Sequence, residues 1–159
     1  MTPGPATVAI LGAGTLARTH ARVVVAHPDL RLVAIVDPDA ASGAAMIERI
    51  VHRFEGERAL LFADLDSALA ALAIDIVAIG EIEDSSAAGQ AVAAGKTVVG
   101  GNRDPGDSGP GRWFPFDDAS SRDRQGSVDA AFSDHVRQYE NVLSSMGRGP
   151  LAASSGADV

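Results

Sequence analysis

The sequence predicts an α/β fold, a doubly wound parallel sheet followed by a Gly/Pro-rich linker and a C-terminal amphipathic helix. Three observations carry this. Short β-branched apolar runs alternate with helix-period segments up to residue 100, the pattern of βαβ units joined by right-handed crossovers. Residues 100–126 then hold six glycines and three prolines, too many for a regular element. From 127 to 146 an apolar stripe at helical spacing returns. The expected organisation is a domain over 1–102, a linker over 103–126, and a helix and tail over 127–159.

Thr7–Leu11 (TVAIL) is the first strand, closed by Gly12-Ala13-Gly14. From Thr15 to His27, Leu16, Thr19/His20, Val23 and Val24 recur at three- and four-residue spacing, and Pro28 stops the helix. Arg31–Val36 is a second strand, ending at Asp37-Pro38-Asp39, and Ala40–Phe54 a second helix facing the core with Ala44, Ile47 and Ile50 or Val51. Ala59–Phe62 and Ile74–Ile79 are the third and fourth strands, separated by an Ala/Leu helix over Asp66–Ala73. Ser85 or Ser86 caps a helix that Gly95 terminates before a fifth strand, Thr97–Val99. The last helix carries Val128, Phe132, Val136, Tyr139, Leu143 and Met146 on one stripe, with Gly147 past its end. In the linker, Trp113, Phe114 and Phe116 are expected to cover part of the domain surface.

Composition excludes several classes. The 159 residues carry 13 basic and 21 acidic side chains, a net charge of −8, which argues against nucleic acid or an anionic membrane as partner. Cysteine is absent, removing disulfides, thiolate metal sites and a Cys nucleophile. The four histidines (20, 27, 52, 135) are scattered, so no metal site is expected. No serine has a nucleophile-elbow setting. The opening MTPGPAT lacks signal-peptide character, and the most apolar stretch, 65–80, is interrupted by Asp66 and Asp75. A cytoplasmic protein without a membrane span is the expectation.

Gly12-Ala13-Gly14-Thr15-Leu16-Ala17 fits G-x-G-x-x-G/A between a strand and a helix, the Rossmann dinucleotide fingerprint. Gly12 permits the tight turn, Gly14 leaves room for a pyrophosphate, and Ala17 lets helix and strand pack closely. The first helical turn, with Thr15 and Leu16, offers backbone N–H groups and a positive dipole end to phosphates. Asp37 closes the second strand 23 residues past Gly14, where a carboxylate accepts from an adenosine ribose. It would repel a 2′-phosphate, and no Arg or Lys lies between residues 32 and 48, so NAD is favoured over NADP. The plainer role for Asp37 is to open the Asp37-Pro38-Asp39 turn and cap the second helix. The carboxylates Asp64/Asp66 and Glu81/Glu83/Asp84 are expected to be N-cap and first-turn charges.

VAILGAGTLARTHARVVVAHPDLRLVAIVDPD (8–39) resembles the opening of the Gfo/Idh/MocA family of NAD(P)-dependent oxidoreductases, which act mostly on sugars, inositols and related polyols. FADLDSALAALAIDIVAIG (62–80) and AVAAGKTVV (91–99) resemble the family's next two segments. His20 stands where the family often has a histidine, and is expected to pack at the domain edge. The family's Glu-Lys-Pro after the fifth strand corresponds to Gly101-Asn102-Arg103, and the single lysine, Lys96, precedes that strand as a helix-end charge. The family's Thr-Pro-Asn-like loop is replaced by Glu81-Ile82-Glu83. The family's substrate domain, with its Asp and His, has no counterpart. His135, beside Asp134, is expected on the helix surface. Residues 130–159 resemble a late family segment, a helix followed by Pro-Leu-x-Ser-Gly-x-Asp, as though the middle had been deleted.

The resemblance implies an NAD(H)-binding Rossmann domain that is not catalytic alone, with Gly12, Gly14, Thr15, Leu16 and Asp37 as cofactor-binding residues and no catalytic residue assigned. The alternatives are a truncated oxidoreductase active only with a partner chain, or a non-binding interaction module or remnant. An apolar stripe without a substrate sheet to cover points to packing on the first domain or to a homodimer that also uses Trp113.

Overall fold

The computed structural model describes residues 4–53, 58–80, 85–100, 111–114 and 128–146. Six parallel strands form one sheet: β1 Ala6–Leu11, β2 Leu30–Val36, β3 Leu60–Phe62, β4 Ile76–Ile79, β5 Thr97–Gly100 and β6 Arg112–Phe114. Their order is β3-β2-β1-β4-β5-β6. The helices are α1 Thr15–Ala26, α2 Ala40–Arg53, α3 Leu65–Ala71, α4 Ser85–Ala93 and α5 Val128–Ser145. Strand order reverses between β1 and β4, and in such sheets the crevice at that switch point receives ligands.

Because both faces are covered, β4 and β5 are buried at every residue and β1 at every residue but Thr7, and most of their side chains are aliphatic. Ala6, Val8 and Ile10 face one layer while Ala9 and Leu11 face the other. In β2 the alternation slips. Val8 pairs with Leu32 but Ala9 with Ala34, so Val33 is an extra residue. The bulge keeps Leu30, Leu32 and Ile35 on one face and turns Ala34 and Val36 to the other.

Helix ends follow local chemistry. Asp64 caps α3 by accepting the Ser67 N–H (2.8 Å). Gly95, at φ 81°, ends α4, with the Gly95 N–H on the Val92 carbonyl and the Lys96 N–H on Ala91 (both 3.0 Å), a Schellman closure. The core face of α2 is Gly43, Met46, Ile47 and Ile50. Ala44, expected inward, is exposed, and Leu61 packs where a Gly43 side chain would lie.

Two further departures from the sequence reading concern the C-terminal part. The expected linker contains β6, which extends the sheet beyond β5 through Thr97–Arg112, Val98–Trp113 and Val99–Phe114 pairs. The Trp113 indole N–H donates to the Gly100 carbonyl (2.8 Å), so the ring lies against the domain as expected. On α5, Tyr139, Val142 and Leu143 are buried and Val136 and Met146 packed against the same core. That part of the stripe packs on the first domain, one of the two arrangements expected for it. The side chains of Val128 and Phe132, with Phe116, Gly147 and the tail, lie outside the described residues.

Candidate functional site

The chain leaves β1 at Leu11 and turns at Gly12, whose φ of 93° is the left-handed region that glycine enters without strain. The Gly12 N–H donates to the Val36 carbonyl at the end of β2 (2.7 Å), tying the turn to the strand that carries Asp37. Gly14 is the N-cap of α1 in extended backbone, φ −82° and ψ −165°. That conformation does not itself require glycine. The first helical bond runs from the Arg18 N–H to the Gly14 carbonyl (3.0 Å). The amides of Thr15, Leu16 and Ala17 precede it, and a helix provides no internal acceptor for them.

Close packing holds the turn against the sheet. The Gly80 N–H, just past β4, donates to the Leu11 carbonyl (3.0 Å). A Cβ on Gly80 would collide with that carbonyl and lie 2.6 Å from the Ala17 Cβ. Ala17 and Gly80 are thus a matched pair of small residues. The fingerprint predicts the first; Gly80 closes the IDIVAIG run in plain view, but only the fold shows what it faces.

Asp37, half-buried, follows β2 with its N–H on the Phe62 carbonyl (2.9 Å). Its Oδ1 accepts the Asp39 N–H (2.9 Å), while Asp39 caps α2 by accepting from the Ser42 hydroxyl (2.8 Å) and the Ala41 N–H (3.1 Å). The Ser42 hydroxyl and backbone hold the Asp39 carboxyl below its ordinary range. Asp37 opens the turn, and the cap belongs to Asp39.

One groove of about 570 Å³ is lined by Gly12, Ala13, Gly14 and Asp37 together with Ser42, Asp64, Leu65, Ala87 and Gln90. The fold therefore brings three of the five predicted residues, Gly12, Gly14 and Asp37, to the lining of one groove. Thr15, exposed, and Leu16, half-buried, stand on the first turn of α1 but outside that lining. The sequence does not mark Asp64, Leu65, Ala87 and Gln90 as part of a site; the one signal among them is the Asp64-x-x-Ser67 cap. The Ser67 N–H holds the Asp64 carboxyl below its ordinary range, and Gln90 donates to Asp66. None of the described lining residues is basic, an environment that disfavours a further phosphate near Asp37. Glu81-Ile82-Glu83 and Gly101-Asn102-Arg103 lie outside the described residues.

Histidine placement differs from expectation. His135 is buried, not on the helix surface, because it sits one turn before Tyr139 on the face α5 presents to α1. His20 is in the core rather than at an edge, fully enclosed. Among the described residues, no group of three or more His, Asp or Glu could hold a metal, and no helix is long and apolar enough to cross a membrane.

The family described as "Oxidoreductase family, NAD-binding Rossmann fold" (GFO_IDH_MocA) matches residues 6–99, more than half of the chain. No curated protein matches the sequence. Among solved structures, GenD2 from gentamicin A biosynthesis in complex with NAD is similar at 28% identity, with a TM-score of 0.51 over 62% of this chain and 27% of that one. A myo-inositol dehydrogenase from Corynebacterium glutamicum is similar at 28% identity and TM-score 0.52, over 60% and 27% of the two chains. An apo scyllo-inositol dehydrogenase from Lactobacillus casei, at 24% identity and TM-score 0.51, shares the fold. The match spans about 27% of the length of the first two structures.

Proposed function

The chain belongs to the Gfo/Idh/MocA oxidoreductase family through its NAD-binding Rossmann domain, and on that premise we propose that it binds NAD(H) at the Gly12–Asp37 groove. The single observation carrying this reading is that Gly12, Gly14 and Asp37 line one groove. The donor set fits a dinucleotide. The first turn of α1, from Gly14 through Thr15 and Leu16, supplies amide donors and the positive end of the helix dipole for a pyrophosphate. Asp37 supplies the acceptor for a ribose diol, and with Asp64 disfavours a 2′-phosphate, so NADP is the weaker ligand. Bound NAD would supply a nicotinamide able to exchange hydride. This chain's own residues bind, orient and discriminate, and none is assigned a catalytic role. Oxidation of a sugar or polyol would take place with a partner chain that carries a substrate domain, in the cytoplasm.

Calorimetric titration with NADH and NADPH tests the reading. Micromolar NADH affinity is expected, abolished by Gly14→Val, whose side chain fills the phosphate approach. Asp37→Ala is expected to weaken NADH about tenfold, the loss of a charged hydrogen bond of about 1.4 kcal/mol, and to narrow the gap to NADPH. Absence of NADH binding up to millimolar concentration overturns the proposal and leaves the turn as scaffold.

A further inference from the structure

Where α1 meets α5, three ionisable rings are buried together. His20 Nδ1 and Tyr139 Oη are hydrogen-bonded at 2.8 Å, with ring centroids 5.7 Å apart and planes at 81°. The His135 ring stands edge-on to His20, centroids 5.2 Å apart. The Ile79 backbone, at the end of β4, faces the same ring and favours its charged form. Among the described residues, the buried polar or charged side chains apart from Tyr139 are His20, His135 and Thr97, so the imidazoles that acid could charge inside the molecule lie at this one contact.

We propose that His20 is an acid-sensitive latch for α5: neutral, it holds the helix through Tyr139, and protonated, it releases α5 while the parallel sheet stays folded. A neutral imidazole has one N–H and one lone pair, whereas the imidazolium has two N–H groups and no acceptor. Protonation therefore forbids the hydroxyl from donating to His20. It also places a charge in a fully buried site. A charge on either imidazole disfavours a charge on the other at a centroid separation of 5.2 Å.

Among the described residues, His135 and Tyr139 from α5 and the Ile79 backbone from β4 face His20. Burial first, and the His135 charge second, push the His20 pKa down from 6.5 to about 3, while the Ile79 backbone acts the other way. The released state thus binds protons more tightly than the docked state. Docking is at full strength above the ordinary value of 6.5 and weakens as pH falls toward about 3, by up to tenfold per pH unit. The sheet has no such group among its buried strand side chains and is joined by backbone hydrogen bonds. α5 closes a separation of 119 residues at the His20–Tyr139 contact. This inference does not rest on NAD binding.

Hydrogen exchange of the full chain between pH 7.5 and 4.5, expressed as protection factors, tests it. Amides of 135–146 are expected to lose at least tenfold in protection while those of β1 and β4 keep theirs. His20→Gln, which cannot be charged, should move the α5 loss to lower pH. The proposal is overturned if α5 and the sheet lose protection together, or if His20→Gln leaves the acid response of α5 unchanged. Should that variant fail to fold, the wild-type imidazole resonances decide. A His20 ring that becomes charged while α5 amides remain protected overturns the latch; charging that coincides with α5 opening supports it.

Discussion

On one face of the sheet, Ala9, Leu11, Val77, Ile79 and Val98 meet Leu65 and Ala68 of α3 and Ala87, Ala88, Ala91 and Val92 of α4. On the other, Val8, Ile10, Ile76, Ala78 and Val99 meet α1, α2 and, from far along the chain, Tyr139, Val142 and Leu143 of α5. The first face is closed by helices that adjoin its strands in sequence, and its layer is wholly aliphatic apart from Phe62 and Trp113 at its margin. The second is completed by a distant element and contains ionisable rings. Ordering a remote segment costs loop-closure entropy that a neighbouring helix does not incur. The α5 side is therefore the layer expected to open first, and the α3–α4 side the layer that stays closed.

Leu143→Ala is the strongest way to break the asymmetry. Leu143 is fully buried, and truncation should cost about 2–5 kcal/mol, read by urea denaturation. α5 amides should lose more protection than those of β4; equal losses would mean the two layers form one cooperative unit.

A smaller effect, about 1–3 kcal/mol, is expected from Gly80→Ala, because the new Cβ meets the Leu11 carbonyl and the Ala17 Cβ, neither of which is a flexible side-chain tip. The strain falls on the glycine turn, so NADH titration should register it while α5 protection does not change. The smallest is Tyr139→Phe. It keeps the buried ring and removes the hydroxyl partner of His20, at a cost of about 1 kcal/mol near neutral pH. Tyr139 is the single tyrosine and Trp113 the single tryptophan. Loss of α5 docking can thus be followed in wild type by tyrosine emission, separately from the β6 edge.

Most of the glycine-turn half was legible in the sequence because its determinants are local. Apolar runs, the G-x-G-x-x-A turn, the Asp64-x-x-Ser67 cap and Gly95 each act within a few residues. The structure sets β1 to β5 and α1 to α4 within a few residues of the expected limits. β6 was missed because three residues among glycines and prolines have no periodicity to read. Its strand character comes from pairing with β5 and from the close seating of Gly111, whose N–H donates to the Val92 carbonyl (3.0 Å). His135 was misread for a related reason. Helical spacing says which residues share a face, but not how far that face is rolled toward its partner.

The sequence by itself determined the α/β class, the family, and the turn that places Gly12 and Gly14 ahead of α1. Those follow from backbone propensity, burial pattern and the unique freedom of glycine at positive φ. Only the tertiary structure decided that Asp37 shares a groove with Asp64 and Gln90, that Ala17 requires Gly80, and that α5 buries His135 beside His20. Each is a meeting of side chains distant along the chain, and such meetings are fixed by how layers pack rather than by any local pattern.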